Sequence, residues 1–392
     1  MVAHSQLNGF GNCGEGLALR QVPDGRRILY IAHLSAPKDF SVVDVTDPSK
    51  PRVVVQTELP HGKVRSNSLA VVGDILLVAY QVATPGLEPA GMGIYDISNI
   101  ERPRRLGFFD ASGPYSRGVH CLWFVDGRYA HLSTGMPDFV PTNPKDDQLY
   151  VIVDMANPAN PSEVGRWWLP GIRQGDNVPP PTRHPRFDEG FRPHNINVYP
   201  ERPNRAYVGY IDAGVVILDI SDMSQPGMIS RLDYHPPFPG MTHTAAPLFK
   251  RDLLIVTDEA LLPNCADWPK LIRVIDIREE RNPVILSSFP LPPRDEFCQR
   301  GGRFGAHNIH ENEPSSTSFV SSSLVFGAFF NAGVRVYDIA DPFRPEEVGY
   351  YIPPAPKGCP SIQINDVYVD ERGLVYAVDR VKGGLYILEM EF

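Results

Sequence analysis

Four histidines occur in contexts that read alike: G-V-H-C-L at His120, R-P-H-N-I at His194, M-T-H-T-A at His243 and G-A-H-N-I at His307. Each heads a run of alternating apolar residues. Neutral imidazole is the commonest protein ligand for Fe, Cu, Zn and Ni, so four that converge would hold one metal ion. A lone histidine at a strand start is ordinarily a hydrogen-bonded polar residue. Four at one repeat position are not independent accidents, and the repeat itself does not demand histidine. Glu15, Asn67 and Asn365 fill the equivalent place in the other units. The expectation is a single divalent ion on His120, His194, His243 and His307. Fe(II) is favoured for four neutral nitrogen donors, with Cu or Mn behind it. The competing reading is a polar, water-filled channel in which the histidines bind an anion or one another.

A second recurrence surrounds the first. Arg65, Arg117, Arg192 and Arg303 each stand shortly before the leading position of a unit, and Lys63 and Arg183 extend the set. Guanidinium forks match carboxylate or phosphate in bidentate fashion. They are therefore the expected substrate-binding residues for a small anionic or phenolic compound. The turns that open on the same side offer Gln81, Thr134, Asp212, Asp258, Glu259, Asn331, Asp379 and Arg380. From these, Asp258 and Glu259, together with Glu15, are the expected carboxylates around the ion. Tyr210 and Tyr115 are candidate proton donors. Asp258, Glu259 and Tyr210 form the expected catalytic set.

The elements that must position these residues follow from self-comparison. A β-rich run ending in Asp, an apolar residue and often Asp or Asn recurs along the chain. It reads S-V-V-D-V-T-D-P at 41–48, G-I-Y-D-I-S-N at 93–99, V-I-V-D-M-A-N-P at 151–158 and V-I-L-D-I-S-D at 216–222. It returns as R-V-I-D-I-R-E at 273–279, R-V-Y-D-I-A-D-P at 335–342 and a truncated L-Y-I-L-E-M-E-F at the end. Two alternating runs precede each copy and most are followed by a fourth, with the repeated Asp and Pro read as turn residues. Seven four-stranded antiparallel units predict an all-β, seven-bladed β-propeller spanning 1–392 as one domain. The last unit lacks its fourth strand, and residues before Glu15 are expected to supply it.

The V-x-D-[IV]-[ST]-[DN]-P pattern resembles that of the LVIVD-repeat propeller family across nearly the whole chain. The resemblance implies the fold, while the family's functions are heterogeneous. In architecture alone, a four-histidine centre is similar to that of carotenoid-cleaving oxygenases and of selenium-binding-protein-type thiol oxidases. Both are propellers whose histidines hold a metal. No linear motif of either occurs here.

Composition narrows the rest. The formal charge of −9 argues against general attraction to nucleic acid or to an anionic membrane. No apolar run is long enough to span a bilayer. The N-terminus has no basic start and no apolar stretch, so it is not read as a secretory signal. Five scattered cysteines without a C-x-x-C pair read as reduced thiols in a cytoplasmic protein. Two inter-blade segments, 168–193 and 290–306, exceed the repeat. They are expected to cover the site with Trp168, Phe297 and Phe304 facing an apolar substrate body, or else to form a contact in a homo-oligomer. Three functions remain open: an oxidase or oxygenase; a lyase, isomerase or hydrolase using the ion as Lewis acid; and a propeller that binds a ligand or protein without chemistry.

Overall fold

In a computed structural model, which describes residues 1–390, the repeat folds as seven antiparallel sheets of consecutive strands. The final two residues of the truncated last copy lie outside the described residues. Blade four shows the pattern, with strands Pro193–Asn197, Arg205–Tyr210, Gly214–Asp219 and Gly227–Leu232 running from the axis outward. The three inner strands are sandwiched between neighbouring blades, so both faces are apolar. Tyr207, Val208, Val216 and Ile217 are all fully buried. Burying such a side chain contributes roughly 1.5–3 kcal/mol. The outermost strands meet solvent and alternate instead, as Glu346–Tyr351 does.

The repeated acidic residues close turns, as expected. Asp44, Asp96, Asp154, Asp219, Asp276 and Asp338 each accept a hydrogen bond from the backbone N–H two residues on. This self-capping turn carries the chain from the third to the fourth strand. The ring closes where the sequence suggests. Ala3–Ser5 pairs antiparallel with Leu385–Glu389 and becomes the fourth strand of blade seven. Blade six departs from the pattern, because its innermost segment is held by isolated pairings. His307 N–H donates to Ala328 O at 3.0 Å, and Ala328 N–H donates to Asn308 O at 2.8 Å.

Two expectations need correction. Cys265 and Cys298 form a disulfide, with Cα atoms 5.4 Å apart, while Cys13, Cys121 and Cys359 are free. Segment 290–306 folds its short helix, Arg294–Gln299, back onto the 3-10 turn Pro263–Cys265 and so brings the pair together. This removes the ground in cysteine usage for a cytoplasmic assignment. No helix among the described residues is long and apolar enough to cross a membrane. The aromatic residues of the two long segments also pack differently than expected. Phe297, Phe304 and Trp268 stack in sequence at 5.3 Å spacings, and Trp168 packs edge-on against Phe139. They bury one another and fix the segments. Segment 168–193 is anchored by Arg183, which forks between Asp146 and Asp188, and by Asp212, which accepts from the Glu189 and Gly190 N–H groups. Arg183 is thereby taken up in structure.

Candidate metal centre

The innermost strands of adjacent blades deliver their leading residues to one level of the axial channel. His120, His194, His243 and His307 form a continuous arc, with ring centroids 4.4, 3.7 and 4.5 Å apart in succession. All four are buried. Glu15, from blade one, reaches across to them. Its carboxylate oxygens lie 3.9 Å from His194 Nε2, 3.7 Å from His243 Nε2 and 3.7 Å from His307 Nε2. Glu259 Oε1 approaches His307 Nε2 at 3.5 Å. Donor atoms gather into two overlapping groups, Glu15–His194–His243 and His243–Glu259–His307.

The outer nitrogens of the rings show which way the protons point. His307 Nδ1 lies 2.5 Å from the Asn365 carbonyl, an acceptor, so it carries the proton and Nε2 is bare. His194 Nδ1 faces Asn195 Oδ1 at 2.8 Å, and the Asn195 amide is oriented by donating to Glu311 at 2.8 Å. His120 Nδ1 lies 3.0 Å from Gln81 Oε1, an acceptor, and 3.3 Å from an Arg65 guanidinium nitrogen, a donor. His120 Nε2 and His194 Nε2 lie 2.8 Å apart. His243 Nε2, His307 Nε2 and Glu15 Oε2 are buried with no hydrogen-bond partner. Orphaned polar atoms of this kind are costly without a ligand.

Burial favours the neutral rings. It pushes His194 down to about 3 and His307 down to about 4, and it drives His120 well below its ordinary value. Burial works the other way on Glu259, yet His307 and Arg303 outweigh it and hold the carboxyl down at about 2. Neutral imidazoles beside an ionised carboxylate make up a donor set for a divalent cation.

The arginines gather around this level. Arg303 donates to Glu259 at 2.7 Å, and Arg65 donates to Gln81. Arg117 is paired with Asp147, which Arg192 approaches at 3.6 Å. Arg380 lies 3.8 Å from Glu259, and burial pulls its guanidinium down to about 10. Five guanidiniums thus gather around two carboxylates, Glu259 and Asp147. A surface cavity beside them is lined by Lys63, Arg65 and Arg117 and by no acidic residue.

Other expected residues are placed elsewhere. Asp258 faces into its blade, where it is buried against Arg273 at 2.7 Å and accepts from Tyr234. The strand alternation that points Glu259 to the axis points Asp258 away. Tyr210 is buried against Trp167, and its hydroxyl accepts from the Leu169 N–H. Tyr115 is 46% exposed in its loop. None of these three reaches the histidines. Glu15, expected as an outer carboxylate, stands among the donors. Phe330 was not anticipated from the sequence. It stacks on His307 at 4.7 Å with Arg303 and Arg380 near its ring face. A left-handed turn sets its position, and no periodic pattern announces such a residue.

The family model described as LVIVD repeat matches residues 29–57, 146–168 and 203–233. No curated protein matches the chain. Among solved structures, the chain is similar to the Swd1 β-propeller domain of Myceliophteria thermophila, with TM-score 0.59 and 13% identity over 96% of this chain and 98% of that one. A protein from Lactobacillus plantarum gives 0.56 and 14% over 90% and 91%. A periplasmic gluconolactonase of Pseudomonas aeruginosa gives 0.55 and 11% over 96% and 88%. At such identities the likeness is one of fold.

Proposed function

The chain belongs to the LVIVD-repeat β-propellers, and we propose that it is a metal-dependent enzyme that oxidises a small anionic or phenolic compound at its axial histidines. One observation carries the reading. His243 Nε2, His307 Nε2 and Glu15 Oε2 converge in a buried pocket with no hydrogen-bond partner. His194, His243 and His307, with Glu15 and Glu259, would hold the ion. Each donor group combines two histidines with one carboxylate, a set that suits non-haem Fe(II). Bound there, such an ion supplies redox chemistry with dioxygen or Lewis acidity. The chain's own residues do the rest. Arg65 and Arg117 face the basic cavity and orient the substrate anion. Phe330 and the stacked His307 keep water from one side of the cluster. Glu259, held ionised by Arg303, balances positive charge at the centre.

A Lewis-acid reaction is the second reading: with the ion held by His243, Glu259 and His307, the unpartnered Glu15 Oε2 would be left as a base beside it.

The test is elemental analysis of the purified protein, alongside His194→Ala/His243→Ala. Near one metal per chain is expected, lost in the double variant. A wild-type protein that takes up no metal after anaerobic reconstitution with Fe(II), Mn(II) or Zn(II) would overturn the proposal. Turnover that needs dioxygen separates oxidation from Lewis-acid chemistry.

A further inference from the structure

Arg380 occupies in blade seven the place that Glu259 occupies in blade five. Glu259 follows Asp258, which pairs with Thr242, and Arg380 follows Asp379, which pairs with Ile364. Each aspartate is taken up within its own blade, Asp379 by the Val381, Lys382 and Gly383 N–H groups that it accepts from. The residue after it points the other way, toward the donor cluster. Arg380 is largely buried there, yet its Nη1 has no hydrogen-bond partner among the described residues. The nearest carboxylate oxygen, Glu259 Oε1 at 3.8 Å, already accepts from Arg303 at 2.7 Å. The charges of Arg303 and Arg65 act against its own.

The other arginines around the cluster are committed. Arg117 and Arg192 share Asp147, Arg303 holds Glu259, and Arg65 gives both Nε and Nη2 to Gln81 Oε1. Gln81 Nε2 is left buried without an acceptor. The arginine layer is therefore short of acceptors, whereas the orphans of the donor cluster, His243 Nε2, His307 Nε2 and Glu15 Oε2, are themselves acceptors. Opposite deficits call for opposite occupants. Water would fill the vacant bonds at Arg380 but leave its charge uncompensated, and an anion answers both.

We propose that Arg380 seats the carboxylate of a small organic acid beside the donor cluster, with Gln81 Nε2 and Arg65 completing the seat. A guanidinium fork matches two coplanar oxygens. A phosphate dianion would bring a second charge toward Glu15 and Glu259, which disfavours it. As a substrate site the seat rests on the function proposed above, and it narrows the substrate to a carboxylic acid. As an anion site it stands independently of that function.

The test is acetate binding to the purified protein at constant ionic strength, read by saturation-transfer NMR on the acetate methyl. The wild-type protein should give a saturable signal that persists when a neutral chelator is present. Arg380→Gln should weaken acetate about tenfold or more, while Arg278→Gln, at an exposed arginine paired with Asp276, should leave it unchanged. Inorganic phosphate should bind less tightly than acetate. A wild-type protein without a saturable signal overturns the proposal, and that measurement depends on no variant folding. A signal abolished by the chelator places acetate on an ion and overturns it as well. So do equal losses in the two variants, unchanged binding in Arg380→Gln, or phosphate bound more tightly than acetate. Acetate binding in a protein that takes up no metal would keep the seat while removing the proposed enzyme.

Discussion

At the residue scale, Asp258 and Glu259 are adjacent carboxylates with opposite employment. Glu259 turns to the axis and Asp258 to Arg273, both of whose side chains are almost fully buried. Removing one member of such a pair leaves an uncompensated charge. Asp258→Asn should therefore cost about 3–5 kcal/mol, read from the urea midpoint. Glu259→Gln should lower metal affinity in a competition titration with a smaller change in that midpoint. A sequence reader can find the two carboxylates, yet their roles depend on strand phase at a turn, where a shift of one residue exchanges them. The four histidines were legible because a repeat places equivalent residues at equivalent heights. Glu15 was legible as a position but not as a donor, since its reach to His243 and His307 is set across the ring. Phe330 left no pattern to find.

At the element scale, the second strand of blade four lies close enough to the innermost strand of blade five to exclude a methyl group. A Cβ at Gly209 would overlap the His243 carbonyl, whereas Gly227 on the outer strand has open space around it. Gly209→Ala should push the inner strand of blade five off its place, costing roughly 1–3 kcal/mol of overpacking. Its melting temperature and metal retention should both fall, while Gly227→Ala, as the control, leaves metal retention unchanged. Deleting residues 1–6 removes the outer strand of blade seven and exposes the edge of Leu385–Glu389. Lower thermal stability and concentration-dependent aggregation should follow, measured by scanning calorimetry and light scattering. The turn motif and strand order were readable because their signals are local. The pairing of Cys265 with Cys298 was not, because it depends on how segment 290–306 folds back.

At the scale of the whole molecule, buried histidines outside the donor cluster couple stability to pH. Burial holds His33, His131 and His310 near 4, against 6.5 in the open chain. Between these values the unfolded chain binds protons that the native one refuses. Stability is therefore complete above pH 6.5 and falls as acidification proceeds toward 4. Each group contributes on the order of 1–2 kcal/mol to the loss at pH 5. Urea midpoints at pH 7 and pH 5 should differ accordingly, and His131→Gln should narrow the gap.

The donor cluster also draws on distant parts of the chain. Glu15 comes from the first blade and the histidines nearest it from the fourth, fifth and sixth, while the start of the chain must lie against its last strand before the ring is shut. During synthesis, no emerging fragment that ends before blade six presents the full set of ligands. On the proposed function, tight capture of an ion would report a chain folded through blade six, and a shorter or broken chain would fail to retain one.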